Sequence, residues 1–251
     1  MKEGQKMKKI VALLLVVAIG VSLCACGLIG GEKEVTLSSE EMAMSVASSK
    51  TAEAFEKSKL AYDKVGVAYE ITTEFSGDLY EAWRLGIYEE EEILDNGCAY
   101  LADELDYLTE DELRYGVAWA SVSIIGENWD ELSDSDKQIY LDKADYIFTI
   151  MEDSLFSFCV DVVVGAYTVN GKIAEAELAL EEAKVLMKEL SAEYSDYEHY
   201  PNLKGYYTTT KSFFDFCSNP DGSFEQVKDT INDYRNEARD YVSDLDYIFE
   251  E

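Results

Sequence analysis

Proline is nearly missing from this chain: Pro201 and Pro220 are the only two, so nothing before residue 201 forbids long helices. Histidine is scarcer still. A lone His199 excludes a His-rich zinc site and the paired Glu-x-x-His motifs of di-iron bundles. A Ser-His-Asp or Cys-His relay would have to run through that one residue, which sits beside a helix break with no nucleophile motif near it and reads as an exposed loop histidine. Bases are few, 21 Lys plus Arg against 52 Asp plus Glu, for a net charge of −31. No basic stripe exists to release counterions from a phosphate backbone, which excludes nucleic acid as a partner. Glycine-rich phosphate loops and zincin, EF-hand and dinucleotide fingerprints are all missing. Asp95-Asn96-Gly97, the nearest fragment to a calcium loop, lacks the alternating oxygen ligands. The chain therefore reads as a non-enzyme without a cofactor or metal motif.

At 47% hydrophobic residues the chain is rich enough in apolar groups to build a core, unlike an acidic disordered tail. Its start reads as an address. Lys2, Lys6, Lys8 and Lys9 precede an apolar run from Ile10 to Val21, followed by small residues and cysteine, the n-, h- and cleavage regions of an export signal. Leu23-Cys24-Ala25-Cys26 resembles the lipobox of bacterial lipoproteins, although Cys24 stands where that family more often has Ser, Ala or Thr. The resemblance implies that Cys26 is lipidated by a diacylglycerol thioether and becomes the N-terminus after cleavage. It carries nothing further downstream. Loss of residues 1–25 removes four lysines and one glutamate, so 21 and 52 become 17 basic and 51 acidic residues, net −34. Anionic headgroups repel such a chain, so the anchor must be the lipid. Residues 26–37, with three glycines in GLIGGEKEVTL, form a flexible tether, and residues 38–251 form one helical domain on the extracytoplasmic face of the cell membrane.

That domain keeps alternating apolar spacings of three and four, the signature of helices packed along narrow seams. The first seam runs Ala61, Val65, Ala68, Thr72, Phe75, Leu79, Ala82, Gly86, in a helix predicted over 39–94 with a capping-box spacing at Ser38 and Glu41 and a stop at Asp95-Asn96-Gly97. Helical stretches follow at 98–108 and 110–127, the latter with Leu113, Val117, Ala120 and Ile124 on one face. The second seam runs Leu141, Ala144, Phe148, Met151, Leu155, Phe158, Val162, Gly165, Val169, and the third Ile173, Ala176, Leu180, Ala183, Met187, Leu190, Tyr194. Asn170-Gly171 reads either as a turn or as a weak point inside one helix over 136–195, where the glycine would cost about 1 kcal/mol. A continuous helix would be roughly 90 Å long, close to the roughly 84 Å of 39–94. That match favours an all-α, elongated antiparallel helical bundle with coiled-coil-like heptad packing, completed by helices over 201–217 and 223–250.

Candidate chemistry meets a plainer alternative at each place. Cys98, Cys159 and Cys217 leave room for one disulfide and a free thiol, but Cys159 in FSFCVDVVV reads as a small buried hydrophobe. Acidic runs at 89–92, 110–112 and along 229–244 suggest cation binding, yet successive acids on one helix diverge and read as a solvated face. Eighteen Tyr, ten Phe and three Trp allow an aromatic pocket with acidic neighbours for an amine or quaternary ammonium ligand. Tyr194, Tyr197, Tyr200, Tyr206 and Tyr207 around Pro201, and Trp83, Trp119 and Trp129, are its candidate walls, or else core plugs. Gly86, Gly165 and Thr72 mark either internal room or close helix approach. The favoured expectation is a membrane-anchored, non-enzymatic interaction or accessory module with a protein partner at the cell envelope. A small-molecule or cation-binding bundle is the alternative.

Overall fold

The computed structural model describes residues 39–249, with side chains from residue 48. The export segment 1–25, Cys26, the tether 26–37 and Ser38 lie outside the described residues. Residues 47–251 cluster as one unit, and the packing below concerns it.

Among the described residues there are nine α-helices, two single 3-10 turns and no strand, as the heptad spacings predict. Helix α1 is Ser39–Tyr88, α2 Glu90–Glu104, α3 Glu110–Ile124, α4 Asp134–Leu141 and α5 Ala144–Ile150. Then come α6 Leu155–Val169, α7 Lys172–Glu193, α8 Tyr200–Ser218 and α9 Phe224–Phe249, with 3-10 turns at Trp129–Glu131 and Glu152–Ser154. The 50 residues of α1 make a rod of about 75 Å at 1.5 Å per residue. All eight residues of its predicted seam, Ala61 through Gly86, are buried.

The long-helix alternative fails on the second seam. Gly171 adopts φ 85°, the left-handed region that glycine enters without strain, and the Asn170 side chain accepts from the Lys172 N–H at 3.1 Å to close the turn. The chain bends by 65° between α6 and α7. Further breaks at 142–143 and 151–154 divide 136–195 into α4, α5, α6 and α7. The predicted helix over 39–94 also ends early, at Tyr88, and α2 restarts at Glu90. At the expected stop Gly97 does leave helical geometry, with φ 51°. Its bare Cα lets α2 kink against α5: an added Cβ would lie 2.8 Å from Asp145 Oδ1, the atom that accepts the Cys98 N–H at 3.3 Å.

Two of the predicted helix starts hold in atomic detail. Thr109 accepts from the Glu112 N–H, while Glu112 Oε2 accepts from the Thr109 N–H at 2.9 Å. Ser223 and Gln226 exchange the same pair of bonds before α9. Leu113, Val117 and Ala120 are buried on α3, but Ile124, expected on that face, is exposed at the helix end. Phe75, Leu79, Phe158, Val162, Phe213 and Val227 build the larger core from α1, α6, α8 and α9. Ala61, Val65, Leu190, Leu203, Tyr206 and Leu245 build a second one. Burial accounts for the apolar character of α6. No single described helix is long and apolar enough to cross a membrane.

Candidate functional site

The seam glycines enclose no cavity. A Cβ on Gly86 would lie 2.6 Å from the Phe156 Cα, and one on Gly165 would lie 2.7 Å from the Gly116 carbonyl oxygen and 2.8 Å from Trp119 Cε3. Gly116 faces the Val162 carbonyl and the Ala166 N–H just as closely. Thr72 turns its hydroxyl back onto the Ala68 carbonyl at 2.6 Å. Close helix approach, rather than internal room, explains all of these positions.

The tyrosines around Pro201 pack on the second core, and Tyr194 and Tyr197 also border an open cleft of about 440 Å³. Tyr206 is buried and packs its ring against Tyr62 and Tyr69 at centroid distances of 5.6 and 5.8 Å. Tyr194 donates to Glu53 at 2.7 Å, and its ring already carries a cation, Lys57 Nζ at 5.5 Å from the centroid. His199 is not the exposed loop residue expected. It is half-buried at the start of α8, edge-on to Tyr197 at 5.2 Å. Trp129 is capped likewise by Lys137 at 5.1 Å.

Trp83 and Trp119 differ. They share an open cleft of about 380 Å³ with Phe156 and Val160, closed at one end by the α8–α9 loop with Pro220 and Asp221. Trp83 is buried, and Trp119 lies over bare Gly165. Two carboxylates line this cleft, Asp221 in the loop and Asp161 on α6; Asp161 is exposed at the cleft mouth, and its pKa is raised because neighbouring side chains partly desolvate it. Among the described residues it has neither a hydrogen bond nor an ion pair. Two indole rings and an uncompensated carboxylate form the aromatic and acidic combination that an organic cation requires. The α6 residue Asp161 is the member that the sequence pattern did not disclose, because it occurs in a run that reads only as buried apolar helix.

The second polar feature missed in the sequence is Asp78, 1% exposed within the α1 seam. Its Oδ2 accepts from the Tyr167 hydroxyl at 2.9 Å, and its Oδ1 accepts from the Asp106 and Tyr107 N–H groups at 3.1 and 3.4 Å. Burial pushes its pKa up to about 6, against the three hydrogen bonds that pull the other way. Tyr167 stacks on Phe75 at 4.6 Å, and Lys172, ion-paired to Glu74 at 2.6 Å, sits 5.3 Å from its ring centroid. Glu112 accepts from Asn170 at 3.0 Å, tying the α3 cap to the α6–α7 turn. This network locks the α2–α3 loop and that turn against α1. Its bonds run between elements distant in sequence, so it ties the fold together.

The remaining candidates resolve as follows. Among the described residues no three His, Cys, Asp or Glu side chains converge as a metal site, and the acidic runs diverge. Cys98, Cys159 and Cys217 are free and buried, with burial pushing the Cys159 thiol up to about 12. Cys26 lies outside the described residues. No protein-family model, no curated protein and no solved structure matches the chain.

Proposed function

We propose that the chain is an extracytoplasmic lipoprotein, held to the cell membrane through Cys26, whose helical unit is a non-enzymatic module that docks a helix of a protein partner. The observation behind it is a paired apolar row on α1 and α7. Lys57 pairs with Glu189 at 2.9 Å and Lys64 with Glu182, which sets the two helices side by side and antiparallel. Helical periodicity puts Leu60 and Val67 on the flank of α1 outside those lysines, and Leu178 and Val185 on the flank of α7 outside those glutamates. All four are exposed, at 48, 38, 62 and 54%, and the members of each pair are seven residues apart. Two such rows beside a line of ion pairs offer an amphipathic helix its heptad contacts. The test is photo-cross-linking from position 178 in intact cells, with Tyr247 on α9 as an exposed control. The reading requires one discrete adduct from position 178 that disappears with Leu60→Glu. The same adduct from both positions, or none, contradicts it.

A second reading rests on the Trp83–Trp119 cleft: binding of an amine or quaternary ammonium compound, with the indoles facing the cation and Asp161 neutralising it. Tetramethylammonium chloride is the probe and tryptophan fluorescence the readout. A saturable change that sodium chloride does not reproduce and that Asp161→Asn abolishes supports it. A change identical in that variant refutes it.

A further inference from the structure

The chain has four arginines, and two of them are satisfied by carboxylates: Arg84 by Glu81 at 2.6 Å, and Arg114 by Glu110 and Asp145 at 3.0 and 2.7 Å. Arg235 and Arg239 form no ion pair among the described residues, although the chain holds 52 acidic side chains. They stand one turn apart on α9 and line a cleft of about 310 Å³ against α1, with Tyr69, Thr73 and Tyr107. Arg235 is fixed there by donating from Nη2 to the Thr73 carbonyl at 2.9 Å and to Ser76 Oγ at 2.8 Å. The Arg235 Nε and the Thr73 Oγ1 beside it are both enclosed and without a hydrogen-bond partner. Buried polar atoms are nearly always paired, so two unpaired ones at the edge of a cationic cleft leave hydrogen-bonding capacity there that the fold does not use. Asp106 is the one carboxylate in the lining. Its backbone, with that of Tyr107, is turned to Asp78, which holds this wall of the cleft in place.

We propose that the Arg235–Arg239 cleft binds the oxyanion group of a small molecule, a carboxylate or a phosphate. The planar guanidinium groups match either acceptor, with the Thr73 hydroxyl as a neutral donor and the Tyr69 and Tyr107 rings as walls for the attached body. Arg239 is exposed and makes no hydrogen bond among the described residues, so it can close on the anion, whereas Arg235 positions the pair. This site is separate from the α1–α7 rows and from the tryptophan cleft.

Inorganic phosphate and sodium acetate serve as probes on the full-length chain in detergent, with sodium chloride at matched ionic strength as the control. With only four arginines, each Nε–H resonance can be assigned by single substitution. Saturable shifts at Arg235 and Arg239, absent at Arg84 and Arg114, are expected with at least one probe. Arg239→Gln should weaken that binding roughly tenfold, in line with loss of one charged hydrogen bond, and leave the melting temperature unchanged. Phosphate and acetate responses distinguish a tetrahedral from a planar ligand. No saturable shift with either probe, equal shifts at all four arginines, or unaltered binding in Arg239→Gln would overturn the proposal.

Discussion

Replacing Asp78 by Asn should remove a pH-dependent contribution to stability that the fold carries at its centre. The carboxyl titrates near 6 in the folded chain, against an ordinary 3.8, so the folded state holds the proton more tightly than the unfolded state does. For a raised carboxyl, the stabilising effect is fully present below the unfolded value and is lost as pH rises through about 6. A displacement of about 2 units corresponds to about 3 kcal/mol, the difference between a neutral and an ionised Asp78 in that site. Asn keeps the acceptor facing the Asp106 and Tyr107 N–H groups and presents its amide to the Tyr167 hydroxyl, which turns to accept. Urea unfolding followed by circular dichroism at pH 4, 5, 6 and 7 reads the difference between variant and parent, in which the titration of the other carboxylates largely cancels. The variant should gain on the parent by about 2.4 kcal/mol between pH 4 and pH 7, most of it between pH 4 and pH 6. Asp78→Ala should instead lose several kcal/mol at every pH, because three buried donors lose their acceptor at about 1–3 kcal/mol each. A constant gap between Asn variant and parent from pH 4 to pH 7 would refute the reasoning.

Two further predictions follow from contacts already described. Gly66 on α1 has open space where a Cβ would go, so Gly66→Ala should stabilise by about 0.5–1 kcal/mol, whereas Gly116→Ala, pressed on the α6 backbone, should destabilise by several kcal/mol. Thermal melts of the two variants test this directly, and equal effects would contradict the close α3–α6 crossing. Cys98, Cys159 and Cys217 should resist alkylation in the native chain and all three should react after denaturation. Intact mass spectrometry checks it, and a disulfide mass or native labelling of any of the three would count against it.

Much of the fold was legible because heptad spacing is a direct consequence of burying one helix face. The α1 seam is legible along its whole length, and the α8 and α9 boundaries agree within a residue, since Pro201 stands in the first turn of α8, Asn219-Pro220 follow its end and the Ser223–Gln226 capping box opens α9. What failed was helix continuity between 136 and 195. A stripe with spacings of three and four passes smoothly through short turns such as 142–143 and 151–154, whose backbone still winds in the helical sense and keeps the apolar side inward. Asn170-Gly171 is ambiguous in the sequence, and Gly171 decides it by its positive φ. The polar sites were less legible. Asp78 looks like one more surface acid until Tyr167, 89 residues away in sequence, is brought onto it. Asp161 and the unpaired arginines likewise acquire meaning only from neighbours on other helices, and no local pattern encodes that. The tyrosines around Pro201 misled for the opposite reason. Their clustering in sequence is real, but Lys57 and the second core take up their faces.

Every functional reading above depends on where the helical unit is held, and that claim can be measured at one residue. Cells expressing the full chain are fed an alkyne-tagged fatty acid and fractionated, alongside Cys24→Ala and Cys26→Ala. The account predicts label and membrane association in the parent and in Cys24→Ala, with both lost in Cys26→Ala. Label retained in Cys26→Ala, or a parent that partitions unlabelled into the soluble fraction, would contradict it.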